Sequence, residues 1–447
     1  MNRMIAQQGF SSLLRRSAMS LFAVALLLSC AISVDSSDKL NPFEKSGDLI
    51  LMTFVPREPL GNEEATYFFG DLDFDLLQKA IEAGINCIDG GFVLEYLSKG
   101  MASPKADLLE ARQSLRRRFV QEMNKYDVFY GHGIDLEGDR IENERFVGGN
   151  IYLDEPYAYF PSENFPTGQV KTVAQNRDLA TACQYYQKHL EGYLHLERKK
   201  GRSGKSLPIV FDSNESVAWY DLKAGVNGFG FEVMGKLYLN QLHYFNEMFG
   251  LKIPETPENY VRLAAAFARG ASDHFDKPWG MCIYGGTPPG VRKRLLEETY
   301  ERGATIYNFW AFHEDLPITT EELFVLAAYI KDYARQHQPA KAKANTVVAV
   351  PPGFCVPVSI YYNAEVIRMM GREAPPPEKR FQKGAMWNLI DLDVSAKTAK
   401  DPILAKMRKL GETLQTLLNS KDEFDIVVYD ESLRPEFMKR YQRVIII

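Results

Sequence analysis

From Asp48 onward the chain alternates short apolar runs with stretches of helical periodicity. The apolar runs are Asp48–Val55, Gly84–Gly90, Asp127–His132, Asn150–Leu153, Pro208–Asp212, Val226–Glu232, Trp279–Tyr284 and Ala304–Trp310. Each is short, rich in β-branched and aromatic residues, and bounded by glycine, proline or charge, which predicts a buried strand. Between and after them, Phe74–Ala83, Leu108–Asn124, Gln175–Glu197, Glu215–Lys223, Tyr260–His274, Val291–Arg302 and Glu321–His337 predict helices. In the second of these, Arg112, Arg116 and Arg117 are expected on the wet side. Eight strands alternating with helical stretches over residues 48–337 are the pattern of a (β/α)8 TIM barrel. An open doubly wound sheet is the alternative, but no G-x-G-x-x-G follows the first strand. Helices that run into Gly84-Ile85-Asn86 and Gly303-Ala304-Thr305 suit short loops with a glycine C-cap.

After the barrel, Pro339 to Asn345 reads as a linker. Strands at Thr346–Val350, Phe424–Tyr429 and Arg443–Ile447 and a helix at Ile403–Asn419 predict a small α/β unit, partial Rossmann or flavodoxin-like. It ends on an apolar strand with no closing helix, unusual for a parallel sheet that wants both faces covered. The expected organisation is therefore 1–39 signal and tether, 40–338 barrel, 339–345 linker and 346–447 C-terminal unit.

The first residues read as an export signal. Arg3, Arg15 and Arg16 precede an apolar core from Met19 to Leu28, too short to span a bilayer. Leu27-Leu28-Ser29-Cys30 resembles a bacterial lipobox, which implies lipidation at Cys30, a membrane anchor and a place in the cell envelope; the small residues of Ser29-Cys30-Ala31 would also serve ordinary signal peptidase. Of the five cysteines, the remaining four lie far apart without C-x-x-C spacing, so neither a zinc site nor a disulfide framework is expected. Cys87 and Cys282 sit in strand-like runs as small hydrophobes. A net charge of −5 over 447 residues argues against a nucleic-acid footprint.

If the barrel closes, its strand ends carry the candidate chemistry: Asp89, His132 and Asp135, Glu155, Asp212, Glu232, Tyr284 and Trp310. Pro156 stops the fourth run and leaves Glu155 at its lip. Two glutamates thus close apolar runs, Tyr152-Leu153-Asp154-Glu155 and Phe229-Gly230-Phe231-Glu232. A carboxyl partly desolvated by aromatics suits a general acid near neutral pH, and a second carboxylate serves as nucleophile or as base for water. Asp89 is expected to hold a loop or hydrogen-bond substrate; His132 and Asp135 are candidates to bind a ligand hydroxyl, with a satisfied loop histidine the alternative; Tyr157 and Tyr159 are candidates to flank a ring. No two of His132, Asp135, His313 and Glu314 share a metal-ligand spacing, and no metal or cofactor is expected. Arg269-Gly270 reads as helix-end capping.

These residues carry a resemblance. Asp154-Glu155-Pro156 resembles the Asn-Glu-Pro of many barrel glycoside hydrolases, which implies the acid/base role for Glu155. Phe309-Trp310 looks like the sugar-platform tryptophan of the same enzymes. Ala268-Arg269-Gly270-Ala271 with Lys277-Pro278-Trp279-Gly280 is similar to uncharacterised glycosidase-like barrels with a small α/β domain after the barrel. The likeness departs at the seventh run, where a nucleophilic glutamate would stand and Tyr284-Gly285-Gly286-Thr287 has no acid. A pair from runs four and six looks more like alpha-galactosidase-type barrels, which normally use aspartates.

The leading expectation is an exported, lipid-anchored glycoside hydrolase acting on a poly- or oligosaccharide, with Glu155 and Glu232 as its carboxylates. Asp89, His132, Asp135, Tyr157, Asp212, Tyr284 and Trp310 are expected to contact the sugar. The alternative is a non-catalytic carbohydrate-binding barrel. A barrel acting on phosphorylated substrates is a third, weakened because only Gly285-Gly286 offers glycine after the seventh run.

Overall fold

A computed structural model of the chain describes residues 48–54, 73–90, 106–131, 143–147, 151–154, 209–212, 215–233, 250–284, 287, 289–310, 320–338, 344–353, 402–420 and 422–447, with parts of 181–195 and 242–249. The barrel strands are β1 (Ile50–Phe54), β2 (Cys87–Asp89), β3 (Phe129–Gly131), β4 (Tyr152–Asp154), β5 (Ile209–Asp212), β6 (Gly228–Val233), β7 (Trp279–Tyr284) and β8 (Ile306–Trp310). Its helices are α1 (Phe74–Glu82), α2 (Ala106–Met123), α3 (Ala218–Ala224), α4 (Pro257–Phe275), α5 (Arg292–Glu301) and α6 (Thr320–Gln336). Helical backbone also follows β4 within 181–195 and β6 within 242–249.

All eight strands are parallel, in the order β3-β2-β1-β8-β7-β6-β5-β4. The decisive pairing is β1 with β8, Met52 standing opposite Asn308, while β1 pairs on its other side with β2. In an open sheet of this order β3 and β4 would stand at opposite edges, far out of contact. At the remaining seam, between β3 and β4, Tyr130 donates its N–H to Arg145 O at 3.1 Å and accepts from Val147 N at 3.0 Å. That parallel bridge sets the chain just ahead of β4 against β3. The (β/α)8 barrel is thus the fold.

Period-two alternation sorts the strands into two layers. Met52, Phe54, Cys87, Tyr152, Phe211 and Cys282 belong to the cluster inside the ring. Their outward neighbours Leu51, Ile88, Val210, Phe231, Met281 and Tyr307 join the helices in a second, larger cluster.

Local signals explain the helix ends. The carboxylate of Asp73 accepts from the N–H groups of Asp75 and Leu76 and starts α1. Gly84 and Gly303, after α1 and α5, take φ values of +103° and +98°, a left-handed turn that glycine makes at little cost. Arg117 is exposed, but Arg116, placed on the wet side by charge alone, is buried. Helical periodicity explains the correction, because Arg116 shares a face with Phe119, Val120 and Met123, all buried.

Beyond the barrel, β9 (Thr346–Val350), β10 (Phe424–Val428) and β11 (Arg443–Ile446) form a parallel sheet in the order β10-β9-β11, with α7 (Pro402–Asn419) and the short α8 (Pro435–Met438). Barrel helix α4 is buried along nearly its whole length because this sheet covers its far side. Arg269 lies inside α4, not at its end, and donates from Nε to Asp425 Oδ1 at 2.7 Å and from Nη2 to Phe424 O at 2.9 Å. Gly270 beside it is a contact point; a Cβ there would lie 2.4 Å from Ile426 O. The expected capping role is replaced by docking: α4 covers the edge of β10, an edge that would otherwise invite pairing. At the opposite edge β11 leaves Val444 and Ile446 exposed, matching the bare apolar strand expected from sequence.

Candidate functional site

β6 is buried from end to end, yet it contains a carboxylate. Phe229, Phe231 and Val233 face the helices, and alternation turns Glu232 inward. Glu232 is 3% exposed. Its Oε1 accepts a hydrogen bond from the hydroxyl of Tyr152 on β4 at 2.5 Å. Its own carbonyl accepts from Tyr260 Oη of α4 at 3.4 Å, and the next carbonyl, of Val233, from Thr287 Oγ1 at 2.6 Å. Side chain and backbone at the end of β6 are therefore both held.

Tyr152 is fixed as firmly. Its ring stacks on Phe211 with centroids 5.2 Å apart and meets Phe54 edge-on at 4.7 Å. Phe211 can lie across β6 only because residue 230 is glycine; a Cβ there would fall 2.2 Å from the Phe211 ring. The Tyr152 N–H donates to Asp89 Oδ2 at 2.6 Å, and the Ile151 N–H reaches the same oxygen at 2.9 Å. Asp89, 1% exposed, thereby ties the end of β2 to the start of β4. These two bonds are the holding contact expected of Asp89.

Next to Glu232 in the ring, Cys282 is its register partner on β7, and Asn308 of β8 donates Nδ2 to Cys282 Sγ at 3.5 Å. Cys87, on β2, is fully buried; burial and then the nearby Asp89 charge push its thiol well above the ordinary range. Both thiols are fully buried and pack as small apolar groups. Among the described residues no group of three His, Cys, Asp or Glu side chains could hold a metal ion.

Asp212, Tyr284 and Trp310 are the last residues of β5, β7 and β8, and Tyr284 pairs with Trp310. Their backbones thus stand at the C-terminal ends of the strands, the end of a barrel where sites are built. Glu155, His132, Asp135, Tyr157 and Cys30 lie outside the described residues, as do Tyr159, His313 and Glu314. The residue missed from sequence is Tyr152. Its signal was available: a tyrosine inside a buried strand needs a partner for its hydroxyl.

Neither a family model nor a curated protein sequence matches the chain. Similar solved structures include a GH5 enzyme of Bifidobacterium longum subsp. longum in complex with Manb1-4GlcNAc, 10% identical, covering 90% of this chain and 96% of that one, with a TM-score of 0.41. An exo-beta-1,4-mannosidase from an Opitutaceae bacterium is 13% identical over 93% of this chain and 75% of its own, with a TM-score of 0.40. A beta-galactosidase from the psychrophilic Marinomonas ef1 is 8% identical over 89% and 75%, with a TM-score of 0.44. With scores this low, the fold assignment rests on the strand order and not on these likenesses.

Proposed function

We propose that the chain is a glycoside hydrolase acting on a poly- or oligosaccharide at the C-terminal mouth of the barrel. Glu155 is the proton donor in this reading and Glu232 the second carboxylate. The acid passes its proton to the glycosidic oxygen as the bond to the anomeric carbon breaks. In direct displacement, water's oxygen bonds to that carbon and Glu232 takes the water's proton; in the two-step route Glu232 bonds to the carbon first and water releases the sugar. Trp310 and His132 shape the sugar subsite, with Asp135, Tyr157, Asp212 and Tyr284 at its rim.

The observation that carries the reading is Glu232: a carboxylate on β6, buried inside the barrel, whose Oε1 accepts the hydroxyl of Tyr152 at 2.5 Å. Glu155→Gln and Glu232→Gln, each tested on a polysaccharide panel for released reducing sugar, are expected to lose hydrolysis while keeping binding. Activity equal to the parent in either variant would end the proposal.

One observation favours the binding-only reading: β7 sets Cys282 beside Glu232, and Tyr284 ends the strand without an acid. Saturable binding of an oligosaccharide that the parent protein never cleaves would decide for it. The proposal extends to export and lipid anchoring through Cys30; Cys30→Ala should abolish incorporation of labelled palmitate in a bacterial host.

A further inference from the structure

We infer that Tyr152 is a positioning residue that keeps Glu232 ionised and aimed, which makes Glu232 the carboxylate that attacks or accepts a proton, never the one that donates it. The inference rests on the glycoside-hydrolase reading above and assigns the roles within it. Burial alone pushes a glutamate toward its neutral form. A hydroxyl donating to the carboxylate opposes that, because the bond strengthens when the acceptor is charged. The separation of 2.5 Å between Tyr152 Oη and Glu232 Oε1 lies in the range of O–H···O⁻ bonds and at the short end of that of neutral pairs.

The donor has little freedom to leave. Its ring is held between Phe211 and Phe54, and its N–H is tied to Asp89. Phenylalanine at 152 would preserve the ring contacts and remove the hydroxyl that bonds Glu232. The other titratable groups described around the pair are Asp89 on β2, Cys282 on β7 and Tyr260 on α4. All three stay in place in a Tyr152→Phe variant, so their fields cancel in the comparison.

The test compares the full chain with Tyr152→Phe and Glu232→Gln, on a polysaccharide the parent cleaves. Tyr152→Phe should lower kcat more than it alters KM and move the acid limb of kcat/KM up by about one to two pH units, since a hydrogen bond to a charged group is worth roughly 1.5–3 kcal/mol. A ¹³C-carboxyl signal, assigned to Glu232 by its loss in Glu232→Gln, should titrate higher by the same amount. A folded Tyr152→Phe protein with both titrations unmoved overturns the inference and leaves the hydrolase reading standing. Undiminished cleavage by Glu232→Gln overturns that reading itself.

Discussion

Arg269 and Asp425, 156 residues apart in the chain, meet in a buried ion pair with Nε and Oδ1 separated by 2.7 Å. Around them Arg269 Nη1 approaches Glu423, and Tyr441 donates its hydroxyl to the second Asp425 oxygen at 2.8 Å. Barrel helix and C-terminal sheet are joined through charges that neither part could bury alone. Arg269→Met leaves Asp425 buried without its cation, so it should cost about 3–5 kcal/mol in urea unfolding. Replacing both, as Arg269→Met with Asp425→Leu, should recover a large part of that loss. If the single change proves neutral, the pair does not hold the two parts together.

His274 at the end of α4 gives the same junction a pH dependence. Its ring stacks on Trp219, with centroids 4.7 Å apart, and Nε2 lies 2.9 Å from Ser432 O. Burial lowers its pKa from the usual histidine value, with Arg434 nearby adding to the effect. The folded form therefore prefers the neutral ring. The unfolded chain takes up a proton first as pH falls, so stability is full above the ordinary histidine pKa of about 6.5 and declines below it, toward the lower folded value. Melting temperature should fall between neutral pH and about pH 5, and His274→Phe should flatten part of that slope. An unchanged slope would exonerate His274.

Gly230 is where packing reaches the candidate site. Adding one methyl group there drives Phe211 off β6, and Phe211 is the stacking partner of Tyr152. Gly230→Ala should destabilise by about 1–3 kcal/mol, the usual cost of overpacking. It should also reduce sugar release beyond what the fraction unfolded explains, because the hydroxyl facing Glu232 shifts. Loss of stability with specific activity intact would separate the stack from the chemistry.

The order of strands and helices was legible along the chain because each depends on neighbours a few residues away. Apolar runs ended by Gly, Pro or charge became β1 to β11, and Gly84 and Gly303 became the left-handed turns their positions suggested. Charge misled where periodicity and side-chain type disagreed, as at Arg116, and where a helix meets a second sheet, as at Arg269. Closure of the ring belongs to tertiary structure, since Met52 meets Asn308 only after every intervening unit has turned the sheet. The bond from Tyr152 to Glu232 spans 80 residues for the same reason. Hydrophobic pattern specifies which face of a strand is buried; which buried polar groups then find one another is decided by curvature and register, and neither is written in any local stretch of sequence.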